Sequence, residues 1–130
     1  MTAMRIEALT RCWQVASPAL LEEALLQAHD PRGECWTLWF GGETHRRLNL
    51  HFQGELAYAV HFPDEPHPGF VSAGPGPGLP DGETAFPLNA SGEALQVPNQ
   101  YVVSFAAAAQ AARDFLATRG RSPAIAWEEL

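Results

Sequence analysis

The 130-residue sequence contains no lysine, and its eight basic residues are all arginine. Against 15 acidic residues this gives a formal net charge of −7 at pH 7. Because proteins bind nucleic acid by neutralising phosphates with Lys and Arg, this balance argues against a direct nucleic-acid ligand. It fits a basic protein partner, and it also fits a domain whose net charge only keeps it soluble.

Cysteine and long apolar runs are scarce as well. Only Cys12 and Cys35 occur, and their spacing fits neither a disulfide framework nor a metal-binding motif. Both lie in apolar, strand-like stretches, which predicts buried free thiols in a reducing compartment. No apolar run approaches a membrane span, and the first residues lack the apolar core of a signal peptide. The sequence therefore predicts a cytoplasmic protein with no membrane contact.

The length fits one domain and is too short for two, so we expect residues 1–130 to form a single unit. Alternating or continuous apolar stretches predict strands over 4–15, 35–40, 46–52, 56–62, 69–73, 84–88, 94–97 and 124–127. Two amphipathic stretches predict helices after Ser17 and after Ser104, whose hydroxyls serve as N-caps. Gly120 is expected to end the second helix. The predicted fold is α+β, with one mostly antiparallel sheet of about six strands packed by two helices.

The hairpin over residues 46–62 allows a prediction of strand register. A three-residue loop over 53–55 pairs Phe52 with Leu56. It also pairs Leu50 with Tyr58, so that the large apolar side chains share one face. A two-residue loop would divide those side chains between both faces. We therefore expect the three-residue loop.

No catalytic motif is present. The sequence has no nucleophile elbow and no complete phosphate loop, and its paired carboxylates are adjacent, so their side chains point apart. His61, Asp64, Glu65 and His67 have side chains that suit a divalent metal, but the prolines between them hold this segment extended. We therefore expect no enzyme, no metal and no cofactor.

The residues expected to bind a partner lie in proline- and glycine-rich loops and near the C-terminal end of the sequence. Loop and terminal carboxylates are well placed to receive basic side chains. The candidates are Asp64, Glu65, His67, Asp81, Glu83, Glu128 and Glu129.

An ordered series of short segments covers most of the chain from Trp36 to Leu130. The segments are 57–62 (AYAVHF), 68–72 (PGFVS), 86–88 (FPL), 97–99 (VPN), 104–108 (SFAAA) and 125–127 (IAW). This series resembles the Imm1 immunity proteins of bacterial polymorphic toxin systems. The resemblance implies an α+β domain that binds and neutralises a cognate toxin, often a nucleic-acid deaminase, without catalysis or a cofactor.

The resemblance and the acidic loops together favour one mechanism, in which loop carboxylates mimic nucleic-acid charge and block a basic toxin cleft. A monomer or a weak homodimer is expected. Two alternatives stay open. One is a small-molecule-binding or enzymatic domain with a pocket under residues 74–82 that contains His61 and His67. The other is a scaffold subunit that acts through an exposed sheet edge.

Overall fold

The chain folds into a mostly antiparallel sheet with two helices, and the predicted α+β class is confirmed. The computed structural model describes residues 3–42 and 45–130. Its helices are α1 (Pro18–Ala28) and α2 (Phe105–Thr118). Its strands are β1 (Met4–Glu7), β2 (Cys12–Val15), β3 (Glu34–Phe40), β4 (Arg47–Gln53), β5 (Leu56–Phe62), β6 (Phe70–Gly74), β7 (Glu83–Pro87), β8 (Ala94–Pro98), β9 (Val103–Ser104) and β10 (Ala126–Glu129).

The main sheet has the order β10-β6-β5-β4-β3-β1-β2, and the short β9 pairs with the beginning of β5. Strands β7 and β8 form a separate two-stranded ribbon. The prediction of a single strand over residues 4–15 is wrong. A tight turn, closed by the Ala8 N–H donating to the Arg11 carbonyl at 2.8 Å, divides this segment into the hairpin β1–β2.

The helices bury their apolar faces on one side of the sheet. The core there includes Trp36, Phe52 and Phe115, each at most 1% exposed. Ser17 and Ser104 cap the helices as predicted, accepting the N–H groups of Leu20 and Ala107. Helices α1 and α2, the helices of the described residues, span 11 and 14 residues, and neither has the length and apolar character to cross a bilayer.

The end of α2 differs from the prediction. Arg119, and not Gly120, adopts the left-handed conformation that ends the helix, with φ at +60°. Its N–H donates to the Phe115 carbonyl at 2.8 Å.

The β4–β5 register also differs from the prediction. Gln53 pairs with Leu56 and Phe52 pairs with Ala57, so the loop has two residues and the predicted three-residue loop is wrong. The prediction assumed that only one face of the sheet is buried. The β7–β8 ribbon in fact covers the second face near this turn, and a second core there contains Phe86.

The cysteines are both free thiols, but only one is shielded. Cys12 lies on the edge strand β2 and is exposed, so the prediction of burial is wrong for it. Cys35 is half-buried on β3. Burial, together with the charges of Glu34 and Glu7, raises the pKa of Cys35 to about 11.

Candidate functional site

Four arginine side chains lie over aromatic rings at the end of the sheet opposite the β4–β5 turn. The pairs are Arg5 with Trp39, Arg47 with Phe62, Arg119 with Phe40 and Arg121 with Phe70. The guanidinium carbons lie 5.8, 4.1, 4.2 and 3.9 Å from the respective ring centroids. These distances are in the range of cation–π attraction. We call this region, with the loops joining its strands, the arginine end.

Strand register creates half of this arrangement. Arg5 pairs with Trp39 across β1 and β3, and Arg47 pairs with Phe62 across β4 and β5. Trp39 and Arg47 each lie one residue beyond the last registered β3–β4 pair, so they are neighbours across the strands. Cation and ring therefore alternate over four adjacent strands. Since side chains alternate along a strand, this row lies on the face that does not pack on the helices.

The other two pairs lie on the helix side of the sheet. Phe40 ends β3, and Arg119 reaches it from the end of α2. Phe70 begins β6, and Arg121 follows α2 by three residues. The arginine end thus includes side chains on both faces of the sheet.

His67 links the β5–β6 loop to the edge strand β10. Its ring stacks on Phe70 with centroids 4.9 Å apart and planes 3° from parallel. Its Nδ1 accepts the Gly69 N–H at 2.8 Å, so in the neutral ring the proton lies on Nε2. Nε2 then donates to the Glu129 carboxylate at 2.8 Å. The predicted residues His67 and Glu129 are therefore in direct contact.

One of the other predicted residues at this end, Asp64, is paired with an arginine. Asp64 pairs with Arg46 at 3.3 Å, and Glu65 is exposed in the same loop. Glu128 precedes Glu129 on β10, so its side chain points to the opposite face. The arginine end therefore has mixed charge and is not a purely acidic surface.

Asp81 and Glu83 lie elsewhere. The residue between them, Gly82, accepts the Asn99 N–H at 2.9 Å. Asn99 begins a 3₁₀ turn, Asn99–Tyr101, that ends beside β6, where the Tyr101 carbonyl accepts the Ser72 hydroxyl at 2.8 Å. These contacts join the segment that contains Asp81 and Glu83 to the 3₁₀ turn. Of the seven predicted residues, the structure brings His67 and Glu129 into direct contact, while the segment of Asp81 and Glu83 contacts Asn99.

His61 lies beneath the arginine end, and its side chain faces the helices. The residue is 4% exposed, and its ring lies 6.1 Å from those of Phe115 and Trp127. Its Nδ1 has no hydrogen-bond partner among the described residues. Burial, with the charges of Arg121 and Arg46, lowers the pKa of His61 from the ordinary 6.5 to about 4. The ring is therefore neutral at pH 7.

This lowered pKa predicts a loss of stability in acid. The unfolded chain binds the proton of His61 near pH 6.5, whereas the folded chain binds it only near pH 4. Stability is thus complete above about pH 6.5 and falls as the pH drops towards 4, by about 3 kcal/mol in all. The free energy of unfolding in urea at pH 7.5 and at pH 4.5 measures this loss. We expect His61→Leu to reduce the difference between the two pH values, and an unchanged difference would contradict the assignment.

A cleft of about 470 Å³ lies at the 74–82 loop, where the sequence predicts a pocket containing His61 and His67. Neither histidine lines this cleft, whose walls are Leu79, Pro80, Asp81, Gly82, Pro98, Asn99 and Gln100. Across 3–42 and 45–130, no group of three or more His, Cys, Asp or Glu is placed to hold a metal ion. The four residues considered for a metal therefore do not converge.

The two buried serines hold backbone segments together. Ser72 accepts the Ala59 N–H at 3.1 Å while it donates to the Tyr101 carbonyl. Ser122 donates to Asp114 at 2.6 Å and accepts the Ala124 N–H at 3.1 Å. These hydroxyls fix the loops that flank β6 and β10.

Sequence reasoning missed the arginines. Two patterns in the sequence could have indicated clustered arginines: the adjacent pair Arg46 and Arg47, and the close spacing of Arg119 and Arg121. Each aromatic partner, however, comes from a distant part of the chain.

A comparison with models of known protein families finds no match to this sequence, and a comparison with curated proteins finds none either.

Proposed function

We propose that this chain is a protein-binding domain that neutralises a toxin, and that the arginine end is its binding face. The observation that carries the proposal is the set of four guanidinium groups positioned over four rings at one end of the sheet. Arg and Trp are enriched among the residues that contribute most to protein interfaces. Side chains that are already ordered lose less entropy on binding.

The kind of partner follows from the family resemblance. An immunity protein acts in the cytoplasm of the producing cell on a cognate toxin, here expected to be of the nucleic-acid deaminase type. Mixed charge at the arginine end favours a partner surface that carries both signs. Pure mimicry of nucleic acid is less favoured, because Asp64 and Glu129 are already engaged by Arg46 and His67.

The test uses the C-terminal domain of the toxin encoded beside this chain, with affinity measured by isothermal titration calorimetry. We expect tight binding and inhibition by the unmodified protein. The double variant Trp39→Ala with Arg47→Ala is expected to weaken binding about 100-fold, since it removes two residues of the kind that dominate interfaces. Circular dichroism and thermal unfolding verify that the variant is folded.

The matched control changes the loop that leads into the β7–β8 ribbon. Asp81→Ala with Glu83→Ala also alters two side chains, and we expect binding to stay within about threefold because surface changes outside an interface have small effects. If only this control loses binding, the binding face contains Asp81 and Glu83 and not the arginine end. A neighbouring gene product that is not a toxin, or one that does not bind, would overturn the proposal as a whole.

A further inference from the structure

His61 is a titratable side chain enclosed near the edge of the sheet that β6 and β10 form. It lies on β5, in register with Leu48 of β4 and Phe70 of β6. The rings of Phe115 on α2 and Trp127 on β10 both lie 6.1 Å from its ring. Its neighbours are thus mainly apolar, and its Nδ1 has no hydrogen-bond partner in the part of the chain that the structure describes.

The cations near His61 oppose a second proton on its ring. Burial lowers the pKa of His61 most, and the charges of Arg121, which follows α2, and Arg46, which precedes β4, lower it further. None of the ion pairs within 3–42 and 45–130 includes His61. A protonated ring would therefore be a buried charge without a partner, which is costly until water reaches it.

The carboxylates on the neighbouring elements are engaged by other groups. Glu129 of β10 lies in the same row of side chains as His61, one strand beyond β6, and it is bonded to His67. Asp114 of α2 accepts the Ser122 hydroxyl at 2.6 Å. Neither carboxylate is hydrogen-bonded to the imidazole.

Strand β10 is the less firmly held of the two elements that place an aromatic ring against His61. Helix α2 buries five residues, whereas β10 is a four-residue edge strand in which only Trp127 is half-buried. Its register with β6 shifts between Ala126 and Trp127, and the preceding Ile125 is 4% exposed in the core. The chain can therefore turn at this irregularity and carry Trp127 away from His61 while Ile125 stays in place.

We propose that a proton on His61 releases β10 from β6, with Ile125 as the anchor, while the rest of the sheet stays folded. Displacement of Trp127 lets water reach the imidazolium, which removes the cost of burying its charge. The release also breaks the 2.9 Å hydrogen bond from the Leu130 N–H to the Gly69 carbonyl. The inference goes beyond the proposed function and is independent of it, because its test needs no partner.

Amide hydrogen exchange of the full chain, followed by NMR at pH 7.5 and pH 5.0 and corrected for the intrinsic rate at each pH, tests this release. The probe is the Leu130 N–H. The pKa of His61 is about 4 in the packed state, against the ordinary 6.5. The opening constant at Leu130 is therefore expected to rise about 30-fold between the two pH values. At both it should exceed the opening constant of the β4 amides, which report global unfolding.

The opposite edge of the sheet provides a matched control within the same molecule. The Ala8 N–H, bonded to the Arg11 carbonyl at 2.8 Å, reports on the β1–β2 hairpin. Local opening there leaves His61 packed, so its opening constant should stay within about threefold between the two pH values.

Two histidine variants assign the proton. His61→Leu is expected to remove the pH dependence at Leu130, since the ring that titrates is absent. His67→Gln changes the other histidine beside β10 and should retain the rise. If His67→Gln removes the rise and His61→Leu does not, the contact between His67 and Glu129 is responsible and the inference is wrong.

The unmodified protein alone can also overturn the inference. Equal opening constants for Leu130 and the β4 amides at pH 5.0 would show that β10 leaves only when the whole chain unfolds. A rise at Ala8 as large as that at Leu130 would show that acid loosens both edges alike. These comparisons need no variant, so they decide the matter even if His61→Leu does not fold.

Discussion

Replacing Phe115 by alanine is expected to lower the free energy of unfolding by about 3–5 kcal/mol, the range for removing a large aromatic side chain from a core. Phe115 is fully buried on α2, and its ring lies 5.6 Å from that of Phe40 and 6.1 Å from that of His61. The vacated space adjoins a helix and two strands whose backbones are fixed by their own hydrogen bonds, so it will not close completely. Domains of this size are stable by only about 5–15 kcal/mol, so this variant should lose a large fraction of the total free energy of unfolding.

Urea denaturation at pH 7.5 measures the loss. The control is Phe115→Leu, which keeps most of the apolar volume and should cost no more than about 1.5 kcal/mol. A loss below about 1 kcal/mol for the alanine variant would mean that α2 does not depend on this ring. The result also bears on binding, because Phe115 supports Phe40, on which Arg119 lies.

Replacing Gly33 by alanine is expected to lower the free energy of unfolding by about 2–5 kcal/mol, the sum of a backbone effect and a crowding effect. Its φ is +85°, which disfavours any residue with a Cβ. A Cβ there would also lie 2.9 Å from the Phe52 carbonyl oxygen and 2.9 Å from Cγ of Pro87. At Gly33, the beginning of β3, the end of β4 and the β7–β8 ribbon approach closely.

Gly92 separates the two effects. Its φ is +90°, but a Cβ would meet no atom within 4 Å. Gly92→Ala therefore measures the backbone term alone, expected to be about 1–2 kcal/mol. The difference between the two variants in urea denaturation gives the cost of crowding. Equal losses would show that the ribbon can move away from Gly33 without penalty.

The sequence predicts the elements of this fold well and their pairing less well. Helices α1 and α2 begin at the capping serines because a cap is a local interaction, visible within four residues of sequence. The β4–β5 register was wrong because it depends on burial of the second face, which the ribbon supplies from more than 20 residues away. The predicted end of α2 is wrong because local preference assigns the left-handed backbone conformation to Gly120. In the structure Arg119 adopts that conformation, and its guanidinium lies over Phe40.

The candidate site shows the same limit. Carboxylates in loops can be found by composition, and Asp64, His67 and Glu129 do lie together. Composition does not reveal that the residue after Asp81 is hydrogen-bonded to Asn99. It also does not reveal the cation–ring pairs, since Arg5 and Trp39 are 34 positions apart and meet only through the register of β1 with β3. Such pairs become visible once the strand order is known.

The uneven distribution of charge between the two ends of the sheet affects how the molecule is oriented when it approaches a charged partner. At the arginine end, five of the eight arginines (Arg5, Arg46, Arg47, Arg119 and Arg121) are nearly balanced by Asp64, Glu65, Glu128 and Glu129, whereas Glu34 and Glu55 lie at the β4–β5 turn. A net charge of −7 with this asymmetry gives the protein a permanent electric dipole. The field of a charged partner exerts a torque on such a dipole and favours one orientation before contact. A positively charged surface would accordingly attract the end of the sheet that carries the β4–β5 turn and leave the arginines facing solution. Screening by salt would weaken this preference for one orientation.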